Sequence, residues 1–158
     1  MRLNSPTVGG KLASSFNTTR RGLLLSILNT VVALRKNGLS VGIGVVIRDY
    51  KGLVVATRSN QLPGKFNAHN GELVALREGL LLAQFYNLQV DLAEVISPSV
   101  VSFFNDSIPL VGESMFIVND IKVLFSNVGI IKCLAISNSG NSLALKLAIS
   151  AFSSCREF

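Results

Sequence analysis

The segment Val41-Gly-Ile-Gly-Val-Val-Ile-Arg48 restricts the possible folds more than any other stretch of this chain. Val41, Ile43, Val45 and Ile47 fall on one face at period two, which makes the segment a strand with one apolar side. Gly42 and Gly44 fall on the other side, where the absence of Cβ lets a second element pack unusually close. The pair is no dinucleotide-binding fingerprint, because it lies inside a strand and no helix follows it.

Around that strand the pattern predicts an antiparallel meander. Upstream, Gly22 to Leu34 is an apolar run broken only by Ser26, Asn29 and Thr30, which suits a buried strand. Asn37-Gly38 turns the chain into Val41–Arg48. Asp49-Tyr50-Lys51-Gly52 turns it again into a third strand, Leu53 to Ser59, and Pro63-Gly64 leaves it.

The period then changes. From Ala68 to Tyr86, Glu72, Leu76, Gly79, Ala83 and Tyr86 stack on one side of a helix, with Asn67 as its N-cap. Leu88 to Val95 alternates as a fourth strand, and Ser97-Pro98 opens a short helix. Glu113 to Phe125 reads as another helix and Gly129 to Ser137 as a fifth strand. Asn141 is expected to cap a final helix, Ser142 to Phe152. The order β-β-β-α-β-α-α-β-α implies a mixed sheet covered by helices.

Charge is distributed unevenly along the chain. Residues 1 to 48 hold seven basic groups and no acidic one, while residues 49 to 158 hold eight basic and nine acidic groups, a net charge of −1. The overall +6 therefore belongs to the first third, and the body of the domain has no excess charge with which to grip phosphates. Residues 1 to 21, rich in Ser, Thr, Asn and Gly, are expected to form a poorly ordered basic arm, and residues 22 to 158 one domain. The apolar run is too short for a membrane span, and Arg35-Lys36 stands where a secretory cleavage site should lie. An intracellular protein is expected; the acid-free, Arg- and Ser-containing start also fits organelle import. Cys133 and Cys155 show no metal-ligand or disulfide spacing and are expected to be reduced thiols.

Together with that order of elements, the stretches VGIGVVIRDYKG, HNGELVALREGLLLAQFYNLQVDLAEV and ISNSGNSLALKLA resemble the ribonuclease H-like domain of plant proteins related to retroelement reverse transcriptases. The resemblance implies an α/β fold with a five-stranded mixed sheet, its first three strands antiparallel, flanked by helices. Active members cleave the RNA strand of RNA/DNA hybrids. They use two magnesium ions, whose mutual repulsion has to be offset by several carboxylates. The family supplies up to four: an Asp on the first strand, a Glu on the first helix, an Asp after the fourth strand and an Asp on the last helix.

Carried onto this chain, the resemblance retains only the Glu, as Glu72. The other positions fall at Asn29, Ile96 and Leu145, the last a place where related plant sequences often carry His. Glu72 is thus the one candidate catalytic and metal-binding residue, a vestige of the site. Glu94, one pleat before Ile96, stands too far along the strand to replace the missing Asp. His69, one helical step before Glu72, is a minor candidate as a metal ligand.

The expectation is a degenerate ribonuclease H-like domain that needs no cofactor and has at most weak residual binding of nucleic acid, such as an RNA/DNA hybrid, or of protein, any nucleic-acid binding being carried by the arm. The alternatives are an active magnesium-dependent hybrid ribonuclease, a structural interaction module and a retroelement-derived frame without a selected role.

Overall fold

The computed structural model describes residues 25–105, 112 and 114–154. The expected arm, the first residues of the apolar run and Cys155 lie outside the described residues.

Three strands, β1 (Ile27–Leu34), β2 (Ser40–Arg48) and β3 (Val54–Pro63), form the antiparallel meander. Asp49 closes the β2–β3 turn, its Oδ1 accepting from the backbone N–H groups of Lys51 at 2.8 Å and Leu53 at 3.0 Å. Gly52 supplies the left-handed backbone there, at φ +86°. A long helix α1 (Ala68–Phe85) leads to β4 (Leu92–Val95), and α2 (Pro98–Asn105) and α3 (Ser114–Val128) lead to β5 (Lys132–Ala135). A short 3₁₀ turn, Asn138–Asn141, then runs into the last helix, α4 (Ser142–Ser154).

The sheet order is β3-β2-β1-β4-β5, with β4 parallel to both β1 and β5. This is the mixed five-stranded sheet with an antiparallel first half that the sequence implied. Among the described residues no helix is long and apolar enough to cross a membrane.

Each face of the sheet has its own core. On one face Leu28, Ile43, Val45 and Ile47 pack against Leu73, Leu76 and Leu80 of α1, behind which lie Val118 and Ile121 of α3. α1 can lie close because a Cβ at Gly79 would stand only 2.9 Å from Leu28 and Thr30. On the other face Val31 and Val46 pack against Ala144 and Ala148 of α4.

The glycine pair of β2 explains the second face. A Cβ at Gly44 would collide with the Ala144 carbonyl and stand 2.6 Å from the Ala148 nitrogen, and one at Gly42 would meet the Ala148 carbonyl. The backbone of α4 thus rests directly on bare strand. Gly44→Ala should cost about 3 kcal/mol or more, because a rigid helix backbone must move aside rather than a flexible side chain. Urea unfolding measures this. A loss under about 1 kcal/mol would show that α4 is not seated where the structure places it.

Several expected boundaries shift. β3 extends beyond Ser59 to Pro63, because its partner β2 continues to Ser40, which pairs with Pro63. Proline is tolerated at this end of an edge strand. β4 begins at Leu92 rather than Leu88, since Asp91 and Leu92 both donate to the single carbonyl of Ser26 before the parallel ladder starts. β5 shortens from Gly129–Ser137 to Lys132–Ala135, limited by the four residues of β4 it pairs with. α3 runs to Val128, three residues past Phe125.

Asn67 caps α1 as expected, its Oδ1 accepting from the Asn70 N–H at 2.7 Å. Asn141 does not cap α4. It belongs to the preceding 3₁₀ turn and is buried, its Nδ2 donating to the Thr30 carbonyl at 3.5 Å.

Candidate functional site

Glu72 sits in the first part of α1, partly buried, and its Oε1 accepts from the Ser97 N–H at 3.0 Å. Burial raises its pKa above the usual carboxylate range, while the Ser97 hydrogen bond opposes the shift. The carboxylate therefore lies beside Ile96, the residue that follows β4. A Cβ on neighbouring Gly71 would come within 3.0 Å of Val32, which places this end of α1 over the middle of β1.

Ile96 and Leu145 border the same apolar cluster. Both are partly buried and pack against the apolar cluster of Val31, Val46, Ala144 and Ala148. Asn29 is not among them. It pairs with Glu94 in the parallel β1–β4 register, and its Nδ2 donates to Glu94 Oε1 at 2.8 Å. Continuing that register by two residues sets Val31, not Asn29, beside Ile96. Val31 also lies opposite Gly44, on which Ala144 rests, next to Leu145.

Glu94 was the residue whose environment the sequence concealed. It is completely buried, its Oε2 has no hydrogen-bond partner, and its pKa is pushed up to about 7. Burial drives the rise; the Asn29 hydrogen bond and the positive charge of Arg48 resist it.

The contacts of His69 are with α2. Its Nδ1 lies 3.3 Å from Ser99 Oγ and its ring stands edge-on to Phe103, with centroids 5.1 Å apart. Cys133 is a buried free thiol, its pKa pushed up to about 12 by burial, so it is inert toward metal or oxidant chemistry that requires the thiolate.

These residues do not fit a magnesium pair. Such a pair needs hard oxygen ligands from several carboxylates, and the other positions the resemblance points to hold an amide engaged with Glu94 (Asn29) and the hydrocarbon side chains of Ile96 and Leu145. Among the described residues no three His, Cys, Asp or Glu side chains are grouped so that they could share a metal ion.

LC11-RNase H1, isolated from compost and solved with an RNA/DNA hybrid, superposes with a TM-score of 0.71 at 21% identity, covering 82% of this chain and 97% of its own. RNase H1 from the halophilic archaeon Halobacterium salinarum gives 0.70 at 18% identity, with coverages of 82% and 98%. The N-terminal RNase H domain of rv2228c from Mycobacterium tuberculosis gives 0.67 at 20%, with coverages of 80% and 97%. No curated protein matches the chain by sequence. Residues 29–151 match the family described as reverse transcriptase-like. With that match spanning most of a chain that has the ribonuclease H fold, the chain belongs to the reverse transcriptase-like family.

Proposed function

We propose that this is a non-catalytic ribonuclease H-like domain, whose remaining capacity is weak binding of nucleic acid or protein. The observation that carries the reading is the packing of Ile96 and Leu145 against Val31. Where the family resemblance implies carboxylates, this chain has joined apolar side chains into a second core.

Water activation and leaving-group stabilisation by paired magnesium ions both require ligands that these residues do not supply. Glu72 is left with a structural task, bonding the Ser97 N–H at the start of α2. The hybrid held by LC11-RNase H1 supports nucleic acid as the class of partner to test. The charge distribution favours the basic first third as the contacting region, with an affinity that falls with salt.

A labelled RNA/DNA hybrid incubated with the chain in magnesium or manganese provides the test. No cleavage above that of a Glu72→Gln control is expected. Metal-dependent cleavage that disappears in Glu72→Gln would overturn the reading and restore the hybrid ribonuclease in its place.

A further inference from the structure

Beside the second core, the 3₁₀ turn and the start of α4 border a cavity of about 150 Å³ lined by Asn29, Arg48, Ser139, Asn141 and Ser142. We propose that this cavity takes a protonated oxyanion: hydrogen phosphate or the terminal phosphate of a monoester. Arg48 supplies the positive charge and Asn141 accepts the anion's own O–H. The inference stands independently of whether catalysis has been lost.

The charge argument begins at Arg48. Its Nη1 reaches the Gly52 carbonyl only at 3.5 Å, and its Nε is buried without a partner. Among the described residues its guanidinium enters no ion pair within 4.0 Å. A planar group with five donors is suited to an oxyanion. The adjoining N-terminus of the 13-residue α4 adds positive potential of the same sense. Glu94 opposes this charge, reaching the region from β4 through Asn29. Its burial holds it partly neutral near pH 7, so it cancels only part of the Arg48 charge.

Selectivity rests on Asn141. The residue is 2% exposed and lines the cavity, yet its Oδ1 has no hydrogen-bond partner. A buried acceptor left unpaired is costly, and a ligand that donates to it is favoured over one that cannot. Sulfate and a phosphodiester carry only acceptors at neutral pH. Hydrogen phosphate carries an O–H as well as anionic oxygens at neutral pH, and a phosphomonoester does so as its monoanion, below its second pKa of about 6; in that form each satisfies Asn141 and Arg48 together.

The experiment is an NMR titration of the full ¹⁵N-labelled chain at constant ionic strength, following the Arg48 Nε–H and Asn141 side-chain amide signals. The probes are inorganic phosphate, a nucleoside 5′-monophosphate, sulfate and dimethyl phosphate. Saturable shifts are expected with phosphate, at least about tenfold weaker with sulfate and dimethyl phosphate. A response to the monophosphate at about pH 6 comparable to that of phosphate assigns a nucleotide terminus, and a response to phosphate alone assigns the free ion.

Arg48→Gln should abolish the shifts at Asn141. Because Arg48 also braces the β2–β3 turn, Ser142→Asp serves as a second variant. An acid at an exposed helix start leaves the fold intact, while its charge at the rim should weaken phosphate binding about tenfold. Equal binding of sulfate, no saturable response to phosphate, or unchanged affinity in Ser142→Asp would each overturn the proposal.

Discussion

Val31→Asp, Ile96→Asp and Leu145→Asp, introduced together, should turn this chain into one whose melting temperature rises with magnesium. On the proposed reading these three positions and Glu72 are the family's four ligand positions, so the variant would hold four carboxylates around one point. In chelator it should melt far below the parent. Unpaired carboxylates in a partly buried apolar cluster cost several kcal/mol in total, and mutual repulsion raises their pKa values. Magnesium binds the folded cluster and hardly binds the unfolded chain, so stability should return by mass action. The parent should not respond.

The informative control replaces Val31→Asp by Asn29→Asp. Asn29 points to the same face as Val31 but is engaged with Glu94 at 2.8 Å, and a carboxylate there would face a second acid instead of the metal site. That control should be destabilised without magnesium rescue. Rescue of the Asn29 version alone would return the first-strand position to Asn29, and rescue of neither would show that the four sites do not converge.

The second large effect is a loss of stability with rising pH that Glu94→Gln removes. The ordinary carboxyl value of 4.5 applies to the unfolded chain, whereas the folded value is about 7. Between those two values the folded state keeps a proton that the unfolded state has released. The contribution is therefore fully present below pH 4.5 and lost as pH passes 7. The span corresponds to about 3 kcal/mol. Glu72, also shifted upward, gives a slope of the same sign in both proteins, so the difference between parent and variant isolates Glu94. Urea unfolding across this range should show the two nearly equal near pH 4.5 and the variant about 2 to 3 kcal/mol more stable above pH 8. Parallel curves would mean that Glu94 titrates normally.

The sequence displayed the sheet and hid the site for a physical reason. Period-two alternation reports the face a residue occupies, and the bare face at Gly42 and Gly44 announced the close helix directly. Asn67 was equally legible, since its cap depends on residues three apart. Face periodicity does not distinguish residues two apart, however. Asn29 and Val31 share a face, and only the pairing of Asn29 with Glu94 separates them. The burial of Glu94 was hidden for a similar reason, because a carboxyl among apolar neighbours is read as an exposed position until its cross-strand partner is known. Asn141 misled by composition: an Asn before a helix usually caps it, and here a 3₁₀ turn carries it inward to Thr30.

The apolar cluster beneath α4 also bears on the evolutionary history open to this chain. A metal pair gives no benefit until nearly all its ligands are present, whereas each acid introduced alone into packed hydrocarbon lowers stability at once. Every single-step reversion from Val31, Ile96 or Leu145 thus lies downhill in fitness with nothing gained until the last. On the proposed reading the packing works as a ratchet: with apolar side chains closed over the ligand positions the resemblance implies, selection for folding alone would hold the lineage away from nuclease chemistry.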